Sequence, residues 1–222
     1  MKQYIIHGKI RERVLIIVLV FSVLLAQIIY PCIQNIAFCI EEKSSFIAGI
    51  FGTIEFLGIL GNPATVMAVY GIISFAFNKY LWKTKLAFAL LDVPDLNGNW
   101  EGTFESIREE NGHIVKVRGK FNMVVKQTWE KMSCVCKFET SSSESEIVYI
   151  EPLGDERYRI KFTYSNKSRD VNLNMPSYGG YNEFTLTGNH MIGDYFSGRT
   201  PPTKGCLELT RVFMNNKKQN RQ

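Results

Sequence analysis

The apolar positions follow different patterns in the two parts of the chain. In the first 90 residues they form long runs, and the clearest run, residues 14–30, has 17 residues without a charge. A membrane-spanning helix needs about 20 predominantly apolar residues, with a lower limit of roughly 17. From residue 99 onward, apolar and polar residues alternate, which is the period of a β-strand. The pattern predicts a membrane anchor followed by a β-rich domain.

The anchor is predicted to cover residues 1–92, with two transmembrane helices at about residues 14–33 and 64–81. Basic residues precede the first helix, and a cluster of aromatic and lysine side chains follows the second: Lys79, Tyr80, Trp82, Lys83 and Lys85. Basic residues favour the cytoplasmic side, and aromatic residues favour the headgroup level. We therefore expect a multi-pass membrane protein with both ends in the cytoplasm. A retained anchor is preferred over a signal peptide because no small-residue cleavage site follows.

A glycine-rich segment separates the two predicted helices. Small residues let helix backbones approach each other closely in lipid, so Gly49 and Gly58 are candidates for membrane assembly. Glu55 lies among apolar neighbours, and a carboxylate at membrane depth is costly and usually functional. The alternative is that Glu55 only reaches the headgroups. Gly49, Glu55 and Gly58 are the predicted assembly residues.

Residues 93–213 are predicted to form an all-β domain of eight short antiparallel strands, and residues 214–222 a basic tail. An up-and-down, lipocalin-like barrel suits this pattern because closure removes exposed strand edges. A barrel of this size has room for side chains or for one small ligand at its mouth. Trp100 is expected to close the base, and Ile147 and Tyr149 are expected to face inward.

Charge and composition exclude several classes of function. The formal net charge of +5 suits a membrane surface or an anionic ligand, and no DNA or RNA partner is expected. Cys134 and Cys136 share one face of a strand and are expected to stay reduced. The sequence has no nucleophile elbow, phosphate loop or metal-ligand spacing, so we predict no enzyme, metal or cofactor. Asp92 and Asp95 fit helix-end or turn capping.

Two segments carry candidate binding chemistry. In the first, Arg199 lies at a strand end beside hydroxyl groups and a glycine turn, where it can bind a phosphate; the alternative is a salt bridge on the outer face. In the second, aromatic and glycine residues form a longer loop whose rings can stack on bases; the alternative is an ordinary glycine-rich hairpin. The predicted ligand-binding residues are Tyr195, Arg199, Thr200, Thr203, Arg169 and Tyr178.

Three motifs in this order, after two predicted spans, resemble a known family: NKYLWKTK, VPDLNGNWEGTF and GDYFSGRTPPTKGCLEL. The chain is similar to the two-transmembrane, β-strand-rich effectors of bacterial CBASS anti-phage operons. The resemblance implies that a partner nucleotidyltransferase makes a cyclic dinucleotide on infection and that the barrel binds it. It also implies that the effector then forms a homo-oligomer, disrupts the inner membrane and kills the host cell.

Under this interpretation Arg199 and Thr203 contact phosphate, and Tyr195 or Tyr178 stacks on a base. The alternative is a membrane-anchored, lipocalin-like binding protein for a lipid or hydrophobic small molecule, which the mostly apolar inward rows permit. A pore-forming protein without a ligand would leave the large β-domain unexplained.

Overall fold

The structure is a computed structural model that describes residues 1–41, 58–168 and 177–213. The predicted tail and the predicted site residues Gly49, Glu55 and Arg169 lie outside these ranges. The chain divides into two compact units. One is Lys9–Trp82, and the other combines Met1–Gly8 with Lys83–Gln222.

The helical unit contains α1, Ile10–Glu41, and α2, Gly58–Lys79. The stretch Ile10–Ile36 of α1 is long and apolar enough to cross a membrane, which confirms the apolar N-terminal helix. Packing of α1 against α2 uses a stripe at four-residue spacing, whose buried members are Val14, Val18, Ser22 and Ala26. Ser22 and Ala26 are small, which allows close approach of helices.

A short connection leads from the helices to the β-domain. It consists of a 3₁₀ turn, Leu81–Lys83, and helix α3, Lys85–Leu91, which Thr84 caps at its N-terminus. Asp92 ends α3 in the left-handed conformation, and its carboxylate accepts a hydrogen bond from the Tyr158 hydroxyl at 2.5 Å. Asp95 accepts a hydrogen bond from the Asn97 backbone N–H at 3.0 Å. Both aspartates therefore have the capping roles that the sequence predicts.

Eight antiparallel strands close into a barrel, as predicted. Each strand pairs with the next along the chain, and the last pairs with the first. The strands are β3 Gly98–Glu110, β4 His113–Gln127, β5 Lys131–Lys137, β6 Ser141–Gly154, β7 Arg157–Ser168, β8 Tyr178–Thr187, β9 His190–Ser197 and β10 Thr203–Val212.

One half of the barrel interior is filled with large apolar side chains around Trp100. This residue has 0% exposure, its indole Nε1 donates a hydrogen bond to the Leu96 carbonyl at 3.1 Å, and the Arg211 guanidinium lies 5.5 Å from its ring centroid. We call this half the base. Its other fully buried side chains include Met123, Ile150, Ile160, Phe162, Phe184, Met191 and Leu209.

The prediction for β6 is wrong at Ile147 and Tyr149. A register irregularity between Ser145 and Ile147 shifts the alternation by one residue. Ile147 is therefore 58% exposed, and Val148 and Ile150 are buried in its place. A bulge of this kind exchanges the two faces of a strand beyond it.

The seam between β5 and β6 is only partly closed by these two strands, which pair at three positions, Val135 with Glu144, Cys136 with Ser143 and Lys137 with Ser142. Toward the base, the first residues of the chain occupy the gap. Strand β1, Lys2–Gln3, pairs antiparallel with β5, and β2, Ile5–Ile6, pairs parallel with β6. The sequence groups these residues with the anchor, whereas the structure places them in the barrel wall.

Gln127 joins the two segments that lead to the helical unit. Its Nε2 donates to the Tyr4 hydroxyl at 3.3 Å and to the Pro94 carbonyl at 3.2 Å, and its Oε1 accepts from the Leu96 N–H at 2.8 Å. Its backbone also exchanges hydrogen bonds with the Asn97 side chain, at 2.7 and 2.9 Å. One buried amide thus connects the N-terminal strands with the residues that follow α3.

We expect Gln127→Ala to lower the free energy of unfolding by about 1–3 kcal/mol, because the substitution leaves buried backbone and hydroxyl groups without their partner. Denaturant unfolding of the full chain in detergent measures this change. Lys126→Ala alters the exposed neighbouring residue and should stay within about 0.5 kcal/mol of the original protein. Equal stabilities of the two variants would contradict the role given to Gln127.

Candidate ligand-binding site

A cavity of about 300 Å³ opens at the end of the barrel opposite the base. Its lining residues come from the rim halves of the strands and from the β5–β6 and β9–β10 connections. This volume lies at the lower end of the range typical of small-molecule sites, which is roughly 300–1,000 Å³. The barrel is therefore packed at one end and hollow at the other.

One wall of the cavity is aromatic and apolar. Phe121 and Phe138 stack with their ring centroids 5.1 Å apart, and Phe104 meets Phe138 edge to face at 5.6 Å. These rings belong to β3, β4 and the residue that follows β5. They present flat apolar surface of the kind on which a planar ligand can stack.

Two glycines, Gly119 and Gly180, leave the space that the aromatic rings of the cavity wall occupy. A Cβ atom at Gly119 would lie 2.6 Å from the Phe104 ring, and one at Gly180 would lie 2.2 Å from the Tyr164 ring. Both glycines occupy inward-facing positions of their strands, so any side chain at either position would displace an aromatic ring that lines the cavity. The shape of the cavity depends on these two missing side chains.

The wall formed by β7, β8 and β9 carries three tyrosines, Tyr164, Tyr178 and Tyr195. Burial raises the pKa of Tyr164, and nearby tyrosines raise it further. Burial also raises the pKa of Tyr178, although the charge of Arg199 partly offsets this effect. The hydroxyl groups of Tyr164 and Tyr178 therefore stay neutral at physiological pH and remain hydrogen-bond donors.

Two arginines face the cavity. Arg199 follows β9 in a loop that is held to β8 by the hydrogen bond from the Gly198 N–H to the Gly179 carbonyl at 2.8 Å. Its guanidinium lies 6.0 Å from the Tyr178 ring centroid. Arg108 lies on the inward face of β3 and forms an ion pair with Glu110 at 2.9 Å. Arginines in this setting bind phosphate oxygens through directed, charge-assisted hydrogen bonds.

Uncharged polar groups complete the lining. The Thr203 hydroxyl donates to the Ser197 hydroxyl at 2.8 Å, and both residues are buried. The side-chain amides of Asn166 and Asn182 are also buried, and the former donates to the Ser141 hydroxyl at 3.4 Å. Buried amides beside an aromatic cavity are suited to hydrogen bonding with the edge of a base.

A thiol also contributes to the wall. Burial raises the pKa of Cys136 to about 12, and the hydrogen bond from Ser143 opposes this only in part. Burial likewise raises the pKa of the neighbouring Cys134. A thiol with a raised pKa is a poor nucleophile, so Cys136 serves as an apolar surface. Within the described ranges, no three His, Cys, Asp or Glu residues are grouped so that they could hold a metal ion.

The structure brings together four of the predicted ligand residues, Tyr178, Tyr195, Arg199 and Thr203, at this one cavity. Thr200 is exposed and does not belong to the lining. Arg108, Asn166 and Asn182 also line the cavity and are not among the residues predicted from the sequence. Arg108 and Asn166 continue the inward rows that start at Trp100 and Tyr158, and a polar residue in such a row was a signal available from the sequence.

Comparison with known proteins gives two matches. The sequence model of a family described as "Cap15, cyclic dinucleotide receptor domain" matches residues 91–211, which is more than half of the chain. The chain is also 29% identical over 141 residues to CD-NTase-associated protein 15 from Yersinia aleksiciae. That alignment covers 61% of this chain and 64% of the relative. The family match includes every strand of the closed barrel and the cavity within it, and the chain therefore belongs to the family of Cap15 cyclic dinucleotide receptor domains.

Proposed function

We propose that this protein is a CBASS effector whose cavity binds a cyclic dinucleotide, and that binding drives oligomerisation of the membrane helices, disruption of the inner membrane and death of the infected cell. The observation that carries the proposal is the presence of two arginines, Arg108 and Arg199, beside aromatic walls in one cavity. A nucleotidyltransferase that makes the cyclic dinucleotide would be the functional partner.

The chemistry of the cavity suits each part of such a ligand. A cyclic dinucleotide has two phosphodiester groups, and Arg108 and Arg199 offer one cation to each. It has two planar bases, for which Tyr178 and Tyr195 offer one stacking surface and the phenylalanine wall the other. The amides of Asn166 and Asn182 would read base edges.

The N-terminal strands support an even number of membrane crossings. Lys2–Gln3 and Ile5–Ile6 are hydrogen-bonded to the barrel, which supports a topology in which the residue before α1 and the domain after α2 lie on the same side of a membrane. The 22-residue α2 has no charged residue before Lys79, which suits a second crossing. Two crossings, with the basic residues inside, would place the barrel in the cytoplasm, where the second messenger is made.

Assembly within the membrane is the remaining step of the proposal. Helix α2 begins at Gly58, and Gly49 and Glu55 precede it in sequence; these three residues would form the contacts between assembled copies. Confinement to a membrane raises the effective concentration of the copies, so a modest change in barrel contacts is sufficient to favour association of the helices.

We expect Arg199→Ala to weaken cyclic dinucleotide binding about 10- to 100-fold, because a charge-assisted hydrogen bond contributes about 1.5–3 kcal/mol. Arg199→Glu should abolish binding through repulsion of the phosphate. Isothermal titration calorimetry of the full chain in detergent, with cyclic di-AMP, cyclic di-GMP and cyclic GMP-AMP as probes, measures both effects.

The matched control is Arg157→Ala, which removes an arginine near the base that pairs with Asp155 at 3.8 Å and should leave the affinity unchanged. Fatty acids form the second arm of the titration. Tight binding of a fatty acid, without binding of any cyclic dinucleotide, would favour the lipid-carrier alternative and reject the proposed ligand.

For the membrane topology, we expect a cysteine at position 44 to react with a membrane-impermeant maleimide in intact cells. A cysteine at position 109, on the barrel, should react only after the inner membrane is permeabilised. Ser44→Cys and Glu109→Cys are made in a chain whose Cys32, Cys39 and Cys206 are replaced by serine. Labelling of both positions from the same side would exclude two crossings.

A further inference from the structure

The seam between β5 and β6 is an acceptor for an extended peptide segment. β5 and β6 pair directly at three positions, which we call rungs. Beyond these rungs, β5 has free backbone groups for pairing at Lys131 and Met132, and β6 has them at Tyr149 and Ile150. Without an inserted strand, these edges would leave backbone donors and acceptors unpaired in the barrel wall, which is unfavourable. The seam therefore requires an occupant.

The chain's own N-terminus shows which segment fits. Tyr4 and Ile6 point into the barrel, with 2% and 5% exposure, and Ile5 points outward. The backbone N–H of His7 donates to the Ile150 carbonyl at 2.9 Å, and its ring Nδ1 lies 2.7 Å from the Tyr149 hydroxyl. Backbone pairing combined with pockets for alternate side chains is the usual form of recognition by strand addition.

The segment pairs with the neighbouring strands at few positions and is followed by a glycine. It forms two residue pairs with β5 and two with β6, compared with the thirteen pairs between β3 and β4. Gly8, next to α1, has φ +79°, and nothing lies within 4 Å of the position of an ideal Cβ atom there. Glycine adopts this conformation without strain and can change it readily, so the segment can leave the seam without unfolding the barrel.

We propose that the seam also accepts Met1–Gly8 of a second copy of this chain, so that exchanged N-terminal segments link the barrels of assembled copies. The inference rests on the proposed function for the event that triggers assembly. Exchange of an identical element reproduces every contact and requires no new interface. Copies held in one membrane, with their N-termini on the same side, meet at high effective concentration.

The ligand cavity lies next to the seam. Cys136 and Ser143, which form the middle rung between β5 and β6, both line the cavity. Two residues further toward the base, the Cys134 N–H donates to the Ser145 hydroxyl at 2.9 Å, and the inserted segment follows. A ligand that contacts Cys136 or Ser143 acts on the rungs that hold the seam closed, and this increases exchange.

Two variants that each introduce one exposed cysteine distinguish exchange from insertion within one chain. Gln3 and Lys131 are directly paired across the seam and are both exposed, and opposite Cβ atoms in such pairs lie about 4.5–5.5 Å apart. Gln3→Cys and Lys131→Cys are made separately in the chain without Cys32, Cys39 and Cys206, and are mixed in liposomes. We expect copper-phenanthroline to give a disulfide-linked heterodimer, with a yield that rises at least threefold when the tightest-binding cyclic dinucleotide of the titration is added.

The controls identify specific exchange. Gln3→Cys mixed with Glu109→Cys reports random collision, because Glu109 lies at the opposite end of the barrel. A chain carrying both Gln3→Cys and Lys131→Cys should form an internal disulfide, which shows that the substitutions preserve the seam. The pair Ile5→Cys with Tyr149→Cys repeats the test on the β6 side, where these residues are register partners.

A mixture that gives no heterodimer above the collision control, with or without ligand, overturns the exchange. If calorimetry then still shows ligand binding and an amine cross-linker shows assembled copies, the proposed function stands and only the exchange fails. A heterodimer formed without any ligand binding supports the exchange and rejects the proposed ligand.

Discussion

Closure of the β5–β6 seam is the constraint on which the rest of the molecule depends. An open seam leaves backbone groups unpaired, which is unfavourable, and β5 and β6 meet at three positions only. The remaining length of the seam is closed by Lys2–Gln3 and Ile5–Ile6. These residues directly precede α1 in the sequence.

The two halves of the barrel interior differ: the base is filled with side chains, and the mouth contains the cavity. At the base, large side chains fill the space, and Trp100 and Gln127 use their polar atoms to hold the residues between α3 and β3. Toward the mouth, inward positions carry glycine, tyrosine and small polar residues, and a cavity remains. Apolar burial therefore stabilises one half, whereas the other half is built from groups that retain free hydrogen-bonding capacity for a ligand.

Much of this arrangement could be predicted because alternation is a strong signal over long strands. It predicts the eight strands, the inward face of Trp100 and the common location of Tyr195 and Arg199. It fails at Ile147, since a bulge inserts a residue that no propensity identifies. It also fails at the N-terminus, since two strands of two residues each are too short to show a period. Their pairing depends on a gap more than 120 residues away in sequence.

The base and the seam also differ in how readily each can deform. A closely packed core resists gradual deformation, so the filled base is a poor path for a change that begins at the mouth. The seam is held together less extensively than the base. Along it lie three β5–β6 residue pairs, then one side-chain hydrogen bond at Ser145, then the short inserted segment. Each of these groups can exchange its partner for water. The seam is therefore the part of the wall with the fewest direct strand pairs, and it ends at the residues that lead into α1.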